Sequence, residues 1–539
     1  MAAKQTKAND FPRKRKFVAI EIDGLPYTVL KYAMKKGFAG FLKRLIHRED
    51  YNLTYYNCSF PRETTVCQAD ILYGDSTFIP GYRWIDKKNR KYYTGKKTAG
   101  HFALEKYAFK RRRGILEGGS SYANMFSGHA KKTIFTIASL NRTSIPRKIA
   151  SRKFLSFLFP SFASSFRIWF YSITEFFLEF FTALIRKIVS VFTGRYTVFS
   201  LETPFMRLVI DGIVRELETV EAIDDLKHGV PRIYLTFSGY DEIAHYSGGP
   251  YSLSALRSLK MILDCVKKIY KKLPPDYDFY ILSDHGISPA IPFDVMSEIK
   301  IKELIEKSVK GESIVMDFEE KDENKIRNIG RKGVEFWKLI TSPVETLARF
   351  FISIFNNQDS KIRWNDKKQI FFKAFNNIGY IYFNYRAGQI NISELDRRYP
   401  KLIKNIISHP AIGFIIGKDN ETTQIIGRGG RIVIDKNGSY KIIGTNVVAR
   451  FGKTDKIVSE INSLMSKKNV GDLVLHGECI KGKSVSFENQ LGCHGGFGGE
   501  QELPIFISKQ QFPELKHSKD SKAIYEIFIQ YLMDEERRG

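Results

Sequence analysis

"YDFYILSDHG" (residues 277–286) opens on a short, mostly apolar run and closes on an aspartate, a histidine and a glycine. Two other stretches share the design, "FVAIEIDG" (17–24) and "RIYLTFSGYDEIAH" (232–245). Nearly continuous apolar runs of this length have no polar face to give to water. They read as strands of a parallel sheet covered by helices on both sides. The helix-like pattern of residues 252–273 supplies the crossover between the second and third runs. In such sheets ligands bind beyond the carboxyl ends of the strands, and Asp23, Asp241 and Asp284 all fall there. The expected fold class is therefore α/β, with a mostly parallel central sheet flanked by helices.

Histidines accompany these carboxylates at His245 and His285, and a third stands among glycines in "GCHGGFGGEQELP" at His494. Taken singly, Asp241-x-x-x-His245 is an ordinary capped turn, "SDHG" an ordinary strand exit and the glycine-rich stretch an ordinary loop. Together they give three carboxylates and three imidazoles with no cysteine among them. That nitrogen and oxygen set suits zinc or manganese and is large enough for two ions. Two such ions clamp the attacking and leaving oxygens of phosphoryl transfer.

A dinuclear site calls for a nucleophile. "FPRETTVCQADILYGDS" (60–76) sets Thr64 and Thr65 before an apolar run that ends at Gly74. Threonine in that position commonly caps a helix; metal coordination makes the same hydroxyl a nucleophile, and a helix start offers free N–H groups to a phosphoryl group.

"EIDGLP", "FPRETTVCQADILYG", "GYDEIAHYSGGP", "LSDHG" and "GCHGGFGGEQELP", in this order, resemble the type I phosphodiesterase and nucleotide pyrophosphatase branch of the alkaline phosphatase superfamily. The resemblance spans roughly residues 17–300 and 370–510 and implies an alkaline-phosphatase-like core. It implies that Thr64 is the nucleophile, that Asp23, Thr64, Asp284 and His285 hold one divalent metal, and that Asp241, His245 and His494 hold the other. The branch carries an asparagine after the nucleophile helix to hold a phosphate oxygen. Here "FIPGYRWIDKK" offers Tyr82 and Arg83 instead, which become the expected substrate-binding residues. The implied function is two-metal hydrolysis of phosphate esters through a phosphothreonine intermediate, with zinc expected and manganese the alternative. The runner-up is a hydrolase or transferase of lipid phospho-headgroups; of another class is a catalytically silent scaffold, against which the intact ligand set argues.

Two segments look foreign to this core. Residues 154–192 hold eleven phenylalanines together with Trp169 and Tyr171, and the apolar residues recur at a helical period through Phe176, Phe177, Phe180, Phe181, Leu184 and Ile188. Glu175, Glu179, Arg186 and Lys187 break the run, and Pro160 and Arg167 break the part before it, so no stretch of about 18 uncharged residues exists to span a bilayer. Residues 334–357 repeat this character after a charged stretch at 319–332. Both helices either cover the core or lie on an anionic membrane surface. The expected organisation is a basic tail (1–16), a catalytic core (17–150 and 196–300), an aromatic-rich amphipathic helical insertion (151–195), a charged and helical insertion (301–368), and a last part of the core (369–539) that contributes His494.

The 539 residues, 43% of them hydrophobic, can bury a large core. A net charge of +27 implies anionic company without saying whether it is substrate, nucleic acid or lipid. No nucleic-acid-binding module is recognisable. Five scattered cysteines give no disulfide framework and no CxxC zinc motif. The basic N-terminus runs into a strand without an apolar signal region, so a cytoplasmic location is expected, with peripheral attachment to a membrane as its variant.

Overall fold

The computed structural model describes residues 16–95, 98–139, 162–193, 197, 204, 207–297, 299–309, 313–315 and 369–537. The expected basic tail up to residue 15, residues 154–161, the charged stretch 319–332 and the second apolar segment 334–357 lie outside them.

All three founding runs are strands. β1 (Lys16–Ile22) pairs in parallel with Arg232–Phe237 on one side and with Tyr277–Leu282 on the other. Alternation along β1 sends Val18, Ile20 and Ile22 into one apolar layer and Phe17 and Ala19 into the other. The first layer is closed by helices Tyr27–Lys35, Gly40–Arg48, Arg215–Lys227 and Leu253–Tyr270. The second is closed by α1 (Thr64–Tyr73) and Lys522–Glu536. Burial on both faces is why these strands carry almost no polar residue. The sheet has seven strands, in the order Asn52–Tyr55, Ile505–Ser508, Tyr277–Leu282, β1, Arg232–Phe237, Ser120–Tyr122 and Lys132–Ile134. Only Ile505–Ser508 runs against the others.

Much of the part from residue 369 on, expected as the last part of the core, belongs to a second, mostly antiparallel sheet of eight strands among the described residues, whose hairpin Gln369–Phe375 and Ile378–Phe383 turns at Asn376 and Asn377. Apolar clusters on its two faces take in helix Thr454–Ser466 on one side and helices Ile301–Ser308, Ile392–Arg398 and Leu402–Ser408 on the other. The hairpin turn and the glycine loop around His494 both reach the carboxyl ends of the parallel strands.

The phenylalanine-rich segment forms α2 (Phe162–Thr193), which lies against the turn of helix at Arg207–Val214. Ion pairs hold it there. Arg207 reaches Glu175 Oε2 from Nε at 2.7 Å and Glu179 Oε2 from Nη1 at 2.8 Å. Glu179 Oε1 accepts from Arg186 Nη2 and from Ser247 Oγ, both at 2.7 Å. Burial alone would raise the Glu179 carboxyl, but Arg207 and Arg186 hold it below its ordinary value. Removing one partner of a buried ion pair strands the other, at a cost of about 3–5 kcal/mol. Glu179→Ala is therefore expected to lose stability on that scale in urea unfolding, with Glu179→Gln losing less.

Candidate metal centre

Asp23 follows β1, and its N–H donates to Phe237 O at 3.1 Å across the sheet. The next strand, β2 (Arg232–Phe237), leads into α3 (Gly239–Tyr246). Asp241 thus stands in the first turn of a helix rather than at the strand end expected for it, with His245 one turn on. After helix α4 (Leu253–Tyr270) the chain returns in β3 (Tyr277–Leu282), which ends just before Asp284 and His285. His494 comes from the far end of the chain, its loop bridged to the one before α1: Arg62 N donates to Gly495 O at 3.0 Å and His494 Nδ1 to Arg62 O at 2.6 Å.

Two buried trios result, Asp23 with Asp284 and His285, and Asp241 with His245 and His494; within each, one ligand atom per residue lies within 4.8 Å of the others. All three histidines are set alike. His245 Nδ1 donates to Gly492 O at 2.8 Å, His285 Nδ1 to Gly286 O at 3.1 Å, and His494 Nδ1 to Arg62 O. Each N–H is fixed on a main-chain carbonyl, so each Nε2 lone pair faces the carboxylates, the tautomer a metal requires. His245 Nε2 stands 3.1 Å from Asp241 Oδ2 and His285 Nε2 stands 3.2 Å from Asp284 Oδ2.

The charges call for a cation. Burial, then the neighbouring carboxylates Asp284 and Asp241, push Asp23 well above the ordinary range, and burial also raises Asp284. Asp241 behaves oppositely: burial would raise it, but His245 and His494 pull it down. Burial disfavours a charged His245, yet Asp241 outweighs it and lifts the imidazole to about 9. Asp241 Oδ1 is buried with no hydrogen-bond partner among the described residues. The donor set, its tautomers and this unsatisfied oxygen all fit divalent metal ions.

Thr64 lies at the junction. Its Oγ1 is 3.1 Å from His285 Nε2 and 3.5 Å from Asp23 Oδ1. The helix-cap reading of the two threonines is corrected: Glu63 occupies the cap position and Thr64 is the first helical residue. The hydroxyl therefore points to the carboxylates and not back to its own backbone. Thr65 Oγ1 is buried and meets no hydrogen-bond partner among the described residues.

No family model matches the chain, and no curated protein does. Among solved structures, phosphonoacetate hydrolase from Sinorhizobium meliloti 1021 aligns with a TM-score of 0.48 at 11% identity, over 98% of this chain and 100% of that one. Murine ectonucleotide pyrophosphatase/phosphodiesterase 5 aligns with 0.46 at 11% identity, over 96% of this chain and 95% of its own. The alkaline phosphatase PafA aligns with 0.42 at 12% identity, over 93% and 91%.

Tyr82 and Arg83, expected to bind substrate, stand beside the hairpin of the second sheet. Arg83 is buried, and its Nη1 donates to Ala374 O at 2.7 Å and Glu488 Oε1 at 2.6 Å. Glu488 Oε2 in turn accepts from Asn376 N at 2.7 Å. Arg83 thus braces the hairpin turn, and its guanidinium stacks over the Tyr82 ring. The turn brings a group that sequence reasoning missed: Asn376 Nδ2 donates to Glu63 Oε1 at 3.1 Å and lies 3.4 Å from His494 Nε2. Its Oδ1 has no partner among the described residues, nor has either side-chain atom of the fully buried Asn377. Glu21 was missed as well. Buried beneath the site, it accepts from Gln68 of α1 at 2.6 Å and from Tyr234.

Two tests follow from this packing. Gly24 has φ +68°, and a Cβ there would meet Asp241 Oδ1 at 2.1 Å, so Gly24→Ala should cost about 1–3 kcal/mol in unfolding and weaken metal binding measured by calorimetry. Burial, then Asp284, lifts Glu21 from 4.5 to about 8. Between those values the folded chain keeps a proton that the unfolded chain releases, so stability falls as pH rises through that window. In chelator-stripped protein the melting temperature should decline over it, and Glu21→Gln should flatten the decline.

Proposed function

We propose that the chain is a two-metal hydrolase of phosphate esters, of the phosphodiesterase and nucleotide pyrophosphatase kind, that works through a phosphothreonine intermediate at Thr64. The observation that carries this reading is the common setting of the three histidines, each with Nδ1–H fixed on a carbonyl and Nε2 turned to a carboxylate trio, beside a hydroxyl within 3.1 Å of one of them. Zinc suits the mixed imidazole and carboxylate donors, with manganese the alternative. Two such ions would supply the positive charge that makes the Thr64 hydroxyl a nucleophile and stabilises the transferring phosphoryl group.

The residues divide the remaining work. Asp23 and His285 orient Thr64 Oγ1. The start of α1 turns free backbone N–H groups toward an incoming phosphoryl oxygen. Thr64 Oγ1 attacks phosphorus as the leaving alcohol departs, and water then cleaves the threonine ester to release phosphate or a phosphomonoester. Asn376 takes the oxygen-holding role first expected of Tyr82 and Arg83, its side-chain amide being fixed at the site by Glu63 while Arg83 acts through Glu488.

A hydrolase or transferase of lipid headgroups is the second reading, favoured by the exposed apolar side chains of α2. A silent scaffold is disfavoured, since it has no use for three matched tautomers. The deciding experiment measures metal content together with turnover of a bis-aryl against a mono-aryl phosphate. Two ions per chain with faster diester turnover support the reading; neither ions nor turnover would sink it.

Thr64→Ala should lower turnover by about 10³-fold or more while metal content stays near that of the parent; Thr65→Ala should be mild, and equal losses would mean the wrong hydroxyl was chosen. Asn376→Ala should lower kcat/KM by roughly 10- to 100-fold with metal content unchanged. Loss of a metal ion in that variant would make Asn376 a ligand instead.

A further inference from the structure

Helix α2 is amphipathic with its faces reversed. A helix at the surface of a globular protein turns its apolar stripe to the core and its charges to water. Among the described side chains of α2 the buried ones are Ser172, Glu175, Glu179 and Ala183. The contact with the body of the protein is made by Glu175 and Glu179 through ion pairs with Arg207, by Arg186 through hydrogen bonds to Ser247 and Ser254, and by Phe176, half-buried against Leu208, Val209 and Ile213. The large apolar residues point the other way: Phe177 is 51% exposed, Phe181 55%, Ile185 60% and Phe192 84%. Ile188 and Val189 are exposed between them. No acidic side chain is exposed among the described residues of this helix, whereas Lys187 is. Beside it, Arg186 reaches Ser254 at the start of α4, where Leu253 is exposed and Arg257 and Lys260 follow, also exposed.

We propose that the outer face of α2 seats the protein on an anionic lipid bilayer, with the helix lying in the headgroup region. Three observations select this occupant. The exposed face is apolar along several turns, and among its described residues the only exposed charge, Lys187, is positive, the composition of an interfacial helix. The neighbouring exposed charges Arg257 and Lys260 have the same sign, as does the chain as a whole at +27. Among the described residues no helix is long and apolar enough to cross a membrane, so the helix lies on the surface. Attachment also fixes the site in space, because Glu179 accepts from Ser247 Oγ and Arg186 donates to Ser247 O, and Ser247 ends the helix that carries Asp241 and His245.

The test uses flotation of the full chain with vesicles of phosphatidylcholine alone or mixed with phosphatidylglycerol, against the combined variant Phe177→Ser, Phe181→Ser, Ile185→Ser and Phe192→Ser. Expected are flotation with the anionic vesicles only, a fall of roughly tenfold or more in partitioning for the variant, and an unchanged melting temperature and rate on a soluble bis-aryl phosphate. Lys187→Glu with Arg257→Glu and Lys260→Glu should also weaken binding, more so at low salt. Equal flotation with both vesicle types, or none with either, overturns the proposal. So does a lowered melting temperature in the serine variant without vesicle binding, which would mean another part of the chain covers this face. A change of the parent from dimer to monomer in that variant, again without binding, would assign the face to a second copy. The hydrolase reading can fail without touching this result, because flotation requires no turnover.

Discussion

Carboxylates buried within a few ångströms of one another cannot all stay ionised unless cationic or hydrogen-bonding groups surround them. Asp23, Asp241 and Asp284 are gathered in this way by the register of three parallel strands, and much of the molecule is arranged around that constraint. The imidazoles of His245 and His494 hold Asp241 charged. Main-chain carbonyls take the three Nδ1 protons and so keep the Nε2 atoms turned inward. Gly24 leaves room for Asp241 to come close where any side chain would push it away. Glu21, one layer below, is pushed up to about 8, first by its burial and then by the Asp284 carboxylate above it.

The second sheet belongs to the same arrangement. Its hairpin brings Asn376 to the nucleophile loop, and Arg83 and Glu488 pin that turn from the side. Arg62 is enclosed between Phe60 and Phe497 and paired with Glu460 and Glu502. It thereby ties the segment before Thr64 to the glycine loop and to the helix Thr454–Ser466. Thr64 is thus positioned from both sheets.

The strands and most of the residues of the two trios were legible because their signals are local: an apolar run, then an acid, with a histidine at short spacing. Asn376 carried no such signal, since an asparagine at a hairpin turn is ordinary and only the pairing of distant strands brings it beside His494. Glu21 looked like the odd polar residue of a strand, and its partners Gln68 and Tyr234 are remote in sequence. The cap position was misread by one residue because Glu63 has the extended backbone of a cap without using its side chain as one. For α2 the period was clear but the inward face was not. Glu175 and Glu179 looked like interruptions of an apolar stripe, whereas Arg207 makes them its points of attachment.

The six residues of the two trios are also spread widely along the sequence, from Asp23 through Asp241, His245, Asp284 and His285 to His494. During synthesis on the ribosome the three aspartates emerge long before the last imidazole, and β1 cannot settle between its two neighbours until Tyr277–Leu282 has been made. A nascent chain therefore cannot close the second trio until His494 has been made, however early the strands that carry the aspartates have emerged.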